Sequence, residues 1–446
     1  SSINKCIYTT RTWSAMANMN NFDPDSYDPY VATNIITDDG QETENKTENI
    51  SGEENETENE NSTSDKNISD EKKEETVKEI TSLDELKTLG ENKYTKYVLK
   101  NDIDATSATD TAVIKGTFKG KLDGGNFAIT GLKRPLFEKV DDAVITNLKI
   151  KDVEISNKGS KNAAITKESN HTTFANLSLE NIQITGESYN AAISGYDYTG
   201  STFSKIQIRK AQITGAKNYN AAFVGRASGS DISNVAVIES KVVLSGTDCG
   251  GFIGEGKNLN IHHVYSDSDV HVETYTDNQG RTNSAGFIGN LAGKSKVQYV
   301  FAAGTIENKT QTELYNFLGT PNVLETMVSD AFVRDNAGGK PNITETTGNR
   351  LSTVTVEQTK KSEFYRTSMN LNEEIWNLEL VGMKGYPELL GMEKKEIISV
   401  STPEEFMKMK EFPTQEYHLT ADINLSDVEQ TEVLIPQFSG VLDGQH

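Results

Sequence analysis

The chain has 446 residues, 35% of them hydrophobic and 25% charged, with a net charge of −22. That length supplies two or three domains with sizeable cores, while the charge excludes partners held by phosphate neutralisation. Nucleic acid needs a basic stripe that displaces counterions, and an anionic membrane surface would repel this chain.

Two cysteines, Cys6 and Cys249, lie far apart, so neither a disulfide framework nor a CxxC zinc site is expected. No apolar run approaches the ~20 residues of a membrane span, so no membrane insertion is expected. There is no initiator Met and no signal-peptide pattern, and both ends read as cuts in a longer protein.

Residues 1–40 carry aromatics without a sustained period, and no function is assigned to them. Residues 41–79 read as a disordered acidic linker: fourteen acidic residues stand against five lysines, a net of roughly −9, with too few apolar side chains to offset ordering entropy. The Asn-x-Ser/Thr triplets in it would accept glycans in a eukaryotic secretory pathway, but an Asn- and Thr-rich solvated linker is the favoured reading.

From residue 80 the pattern becomes regular. Ser82 followed by Leu83, Leu86 and Leu89 predicts a capped short helix, and YVLKNDID alternates as a strand. The same opening recurs at a constant interval of 320: Tyr97 matches Tyr417, Asp102 matches Asp422, Phe118 matches Phe438, and Asp123 matches Asp443. The expected domains are therefore a β-helix over 80–395 and the start of a second copy over 396–446.

Between the openings lies a shorter repeat. NLKIKDVEIS (147–156), NLSLENIQIT (176–185), KIQIRKAQIT (205–214), NVAVIESKVV (234–243) and HVYSDSDVHV (263–272) step by 29 residues. Each gives two alternating strands joined by a bend. A third short strand is expected to carry Ile165, Ile193, Phe223, Phe252, Phe287 or Phe317.

Such units bury nothing alone, but stacking them buries a continuous aliphatic column. The expected fold is all-β, a right-handed parallel β-helix of about 29-residue coils. The insert 274–283 should loop out, and Trp376, Tyr386 and Pro387 are expected to form an apolar plug over the last coil.

The run GTFKGKLDGGNFAITGLKRPLFEKVDDAVITNLKIKDVEI, the GLUG-like GFIG elements at 251 and 286, and the W…GYPELL ending resemble the N-terminal β-helix region of the immunoglobulin A1-specific zinc metalloproteinases of Gram-positive bacteria. The resemblance covers about residues 77–446. It implies a secreted or cell-wall-associated parent protein with zinc and an HExxH catalytic domain downstream, and immunoglobulin A1 or another host glycoprotein as partner. It carries no catalytic, cofactor-binding or metal residue onto this chain. The six histidines (His171, His262, His263, His271, His418, His446) contain no HExxH, and no LPxTG-like sorting signal is present.

Other candidates have plain structural readings. Asp102 and Asp123, with Asp422 and Asp443, could pair as acids in a glycoside hydrolase or bond corner turns. His262 and His263 are expected on opposite faces of a strand, a surface pair unable to share a metal. SDSDVHVETYTD (266–277) could hold Ca²⁺ or form a solvated strand face. Asn147, Asn176 and Asn234 are expected to stack as a ladder interrupted by Lys205 and His263.

Three functions follow as expectations. The chain is a non-catalytic β-helix of an exported zinc metallo-endopeptidase that positions substrate or spaces the catalytic domain, a surface adhesin with no protease attached, or a carbohydrate-active β-helix enzyme.

Overall fold

The computed structural model describes residues 75–273, 283–309, 314–319, 325–341, 343, 349–393, 397–428 and 433–444. By backbone proximity the chain divides into Ser1–Asp70 and Glu71–His446, and every described residue lies in the second unit. Residues 1–40, Cys6, most of the expected linker, the insert 274–282 and His446 lie outside the described residues.

The expected parallel β-helix is what the chain forms. One 14-stranded sheet carries in order Thr76–Ile80, Thr95–Leu99, Lys121–Asp123, Val144–Ser156, Thr173–Gly186, Thr202–Gly215, Asp231–Leu244, Asn260–Val272, Lys296–Ala302, Met327–Arg334 and Leu351–Val354. A second, 7-stranded sheet runs from Ile114–Phe118 to Ile288–Ala292. All the pairings in both are parallel.

The 29-residue step is visible as register: Leu148, Leu177, Ile206, Val235 and Val264 are consecutive partners, as are Ile155, Ile184, Ile213 and Val242, with Val270 following after 28 residues across a register shift. These side chains are at most 2% exposed and belong to one continuous core. At about 25 cal/mol per Å² of apolar surface removed from water, such columns supply the main driving force.

Asparagine recurs at the bends for a backbone reason. Asn147, Asn176, Lys205, Asn234 and His263 all have φ between +51° and +55°, and Asp152, Asn181, Lys210 and Glu239 repeat this at a second bend. Short polar side chains tolerate the left-handed region best. The first bend carries part of the expected ladder: Asn176 donates to Asn147 Oδ1 at 2.7 Å, and Asn147 to Asp123 Oδ1 at 3.0 Å. Asn234 is separated from it and instead accepts from the Trp376 indole at 3.1 Å.

A longer ladder, not expected from sequence, runs through the NAA elements. Asn162 donates to Asn190, Asn190 to Asn220, the Asn220 backbone to Cys249 Sγ, and the Cys249 backbone to Ser284. Cys249 thus takes the place of an asparagine, fully buried and unpaired with another cysteine, and burial pushes its thiol up to about 12. It is a structural rather than a reactive thiol.

Four expectations need correction. The composition extends the linker to residue 79, yet Thr76–Ile80 pairs with Thr95–Leu99. Only Ile80 is buried there, so backbone pairing holds a strand that side-chain pattern does not reveal.

Ile165, Ile193, Phe223, Phe252, Phe287 and Phe317 are buried as expected but lie in bends, not third strands. An isolated bridge precedes each, and the second-sheet strands begin after them, as at Thr166, Val224 and Ile253. The aromatic members still stack, with ring centroids 4.7 Å apart for Phe223–Phe252 and 5.0 Å for Phe252–Phe287 and Phe287–Phe317. Glycine matters at this crowded bend, because a Cβ on Gly251 would sit 2.1 Å from the Gly286 carbonyl oxygen.

The third correction concerns the plug. Residues 364–392 do not cover the last coil; they run along the outside of the long sheet as a strap. Trp376, Tyr386 and Leu389 pack in one cluster with Ala236, Ile238, Tyr265, Phe301 and Ala303, which project outward from three successive coils. The strap's polar anchors reach back to Gln207, Arg209 and Asn234. Runs such as VAVI (235–238) and VFAA (300–303) are apolar on both faces of the sheet, and the outer face required a cover.

The fourth concerns the histidine pair. The positive φ of His263 breaks the pleat, so His262 and His263 share a face with Nδ1 atoms 2.8 Å apart.

The second copy repeats three strands of the first, without counterparts of Ile103–Asp104 and Ile114–Phe118 among the described residues. Ile397–Val400, a capped helix Pro403–Lys408, Glu416–Leu419 and Val441–Asp443 form a parallel three-stranded sheet. Ile397 pairs with Glu416 and Glu416 with Val441, just as Val77 pairs with Lys96 and Lys96 with Lys121.

Candidate functional site

The acids singled out in the sequence are structural. Asp102 accepts from the Ala128 backbone at 2.7 Å. Asp123 accepts from the Gly125 backbone and from Asn147, both at 3.0 Å, and is 3.4 Å from Lys96. Each carboxylate is occupied by a turn or a ladder. In the second copy Asp443 lies 3.9 Å from His418, while Asp422 is exposed.

The histidines are dispersed. His271 pairs with Glu307 at 2.7 Å, and His171 lies 3.9 Å from Asp142. His263 stacks on Tyr299 at 5.1 Å, and burial beside His262 pushes its imidazole down to about 4.

In the acidic run, Asp269 accepts from the Thr305 backbone and hydroxyl, and Asp267 faces Arg334 at 4.0 Å. Residues 274–277 lie outside the described residues. Among the described residues no group of three or more His, Cys, Asp or Glu comes together to hold a metal ion. No described helix is long and apolar enough to cross a membrane.

Sequence reading missed two buried polar centres. Asp197, fully buried, accepts from the hydroxyls of Ser169, Ser201 and Ser230, and burial raises its pKa. A carboxylic acid with a raised folded pKa contributes most when protonated, and stability falls as pH rises through that value. Asp197→Asn removes the charge and keeps the bonds, since Ser230 already donates to the Ser228 carbonyl and can accept from the new amide. It should melt above the parent chain at pH 7, with the difference fading toward pH 3 in parallel thermal scans. The second centre, around Arg209 and Glu388, locks the strap.

The third missed feature lies on the outer face of the second sheet. Tyr189 and Tyr219 hold the turn position that Lys161 and Asp248 hold in the flanking coils, at φ of +57°, +64°, +63° and +53° respectively. Tyr196 sits in register between Glu168 and Arg226. Ring centroids are 4.6 Å apart for Tyr189–Tyr219, 5.5 Å for Tyr189–Tyr196 and 4.2 Å for Tyr196–Tyr198. Arg226 and Lys161 lie over the Tyr196 ring at 5.0 and 5.4 Å. Burial pushes the Tyr219 phenol up to about 12. The sequence signal was tyrosine directly before NAA in two successive coils.

With this geometry in view, residues 36–186 match the model of the M26 IgA1-specific metallo-endopeptidase N-terminal region. An immunoglobulin A1 protease of Streptococcus sanguinis is 45% identical over 67 residues, 14% of this chain and 4% of that protein. One of Streptococcus pneumoniae is 35% identical over 95 residues, 20% of this chain and 5% of that protein. A solved IgA1 protease aligns over 64% of this chain and 22% of its own, with a TM-score of 0.41 and 17% identity. The resemblance noted in the sequence is thus found again over its strongest part, and the matched stretches span a small fraction of these relatives.

Proposed function

Starting from the match of residues 36–186 to the M26 N-terminal region, we propose that this chain is a non-catalytic β-helix segment of an exported, cell-surface zinc metallo-endopeptidase. Its task is to position a host protein substrate such as immunoglobulin A1 against a catalytic domain elsewhere in the polypeptide. The observation that carries the reading is that match, falling on the opening of a coil stack whose side chains are committed to ladders and core.

A stack of coils about 4.8 Å apart is stiff along its axis. A stiff flank holds a bound protein at a fixed orientation, which lowers the entropic cost of presenting one peptide bond to a distant catalytic centre.

Two measurements test this. The purified 446-residue chain should yield no IgA1 fragments and should keep no stoichiometric zinc after dialysis. Removing residues 77–395 from the complete gene product should lower kcat/KM for IgA1, mainly through KM. Unchanged kinetics would refute substrate positioning, and stoichiometric zinc on the isolated chain would refute the non-catalytic assignment.

A further inference from the structure

We propose that the tyrosine cluster on the second sheet is a binding site for a neutral carbohydrate chain, packed on the exposed ring of Tyr198 and hydrogen-bonded by the polar groups around it. The first support is position. Tyr189 and Tyr219 occupy one turn position in adjacent coils, where Lys161 and Asp248 show that the turn itself asks for no aromatic ring. Bends elsewhere in the fold take the same left-handed φ at Lys205, Lys210 and Glu239, so the φ belongs to the coil and what is particular here is the pair of stacked rings.

The second support is exposure. Tyr198 is 41% exposed and stacks on Tyr196. It ends a stack of rings that runs through Tyr196 to Tyr189 and Tyr219, each of them partly exposed.

The chemistry around the stack selects the ligand. Lys161 is paired with Glu168 at 2.5 Å and Arg226 with Glu255 at 2.9 Å, so the rim is charge-balanced within a chain of net −22. Neither cation is left over for a polyanion. Proline-rich peptides need slots between aromatic rings, and centroid spacings of 4.2–5.5 Å leave none. The exposed Tyr198 ring at the end of a stack, edged by carboxylates, a guanidinium, phenols and the Lys161 ammonium 5.6 Å from its centroid, suits a pyranose ring, which offers an apolar face and vicinal hydroxyls.

The full chain should be applied to a printed array of neutral oligosaccharides, with a sialylated oligosaccharide and decaproline as controls. Saturable binding to at least one neutral oligosaccharide is expected. Tyr198→Ala should weaken it by about tenfold or more, and Tyr198→Phe by no more than about threefold. Both variants should melt with the parent, because the Tyr198 side chain contributes only ring contacts and one 3.3 Å bond from Lys161. Retention of no neutral oligosaccharide, equal binding of decaproline, binding only of the sialylated control, or full affinity in Tyr198→Ala would each overturn the proposal. IgA1 kinetics do not bear on this result, so it can fail while the proposed peptidase context stands.

Discussion

Ile184→Asp should abolish cooperative folding of the coils around it. Ile184 is 1% exposed and stacks between Ile155 and Ile213. Losing a buried branched side chain costs about 2–5 kcal/mol, and burying a carboxylate with no partner costs several kcal/mol more. The sum rivals the roughly 5–15 kcal/mol that holds a whole domain folded.

A coil leans on two neighbours, so the damage reaches both interfaces. The adjacent side chain provides the contrast: Thr185 is exposed on the same strand, and Thr185→Asp should stay within about 0.5 kcal/mol. Ile184→Val should cost about 0.5–1.5 kcal/mol. Thermal melts followed by far-UV circular dichroism decide it. A parent-like melt for Ile184→Asp would mean that this side chain does not face the core.

How much was legible follows from what each signal encodes. The 29-residue register was readable because Leu148, Leu177, Ile206 and Val235 report one inward face at a fixed interval. The duplicated opening was readable for the same reason, and its strand register repeats in the structure. The strap was misplaced because an apolar segment announces that it is buried, not where; only the outward Ala236, Ile238, Tyr265 and Phe301 specify its seat. The His262–His263 contact escaped because strand alternation was assumed through a residue whose φ is positive. Asp197 escaped because its serine partners lie 4, 28 and 33 residues away, in its own coil and in both neighbouring ones. The tyrosine stack was hidden because its rings come from two coils, and no single window shows them together.

Arg209→Met should release the strap while leaving the coils intact. The Arg209 side chain is 4% exposed, and those of Glu388 and Lys384 are each 2% exposed. Arg209 donates to Tyr386 Oη at 2.8 Å and bonds Glu388, which also meets Lys384 at 2.6 Å. Gln207 completes the anchor by accepting from the Leu389 backbone and donating to the Met392 carbonyl, both at 2.8 Å. Taking one cation from this centre leaves the Glu388 carboxylate, desolvated for two, with less than it was built for, a loss of about 3–5 kcal/mol. A 29-residue segment docked on one face has little more than that to hold it, whereas the coil strands keep their ladders on both sides. Backbone amides over 364–392 should therefore exchange hydrogen much faster than in the parent, with Asp231–Leu244 unchanged. Trp376, 1% exposed and bonded to Asn234, should shift its emission to the red. Replacing Glu388 with leucine and Lys384 with methionine in the same chain should restore much of the protection, because apolar side chains of similar volume then replace all three buried charges. Parent-like exchange over 364–392 in Arg209→Met would show that the apolar contacts of Trp376, Tyr386 and Leu389 hold the strap by themselves, and that the buried ions only fix its register.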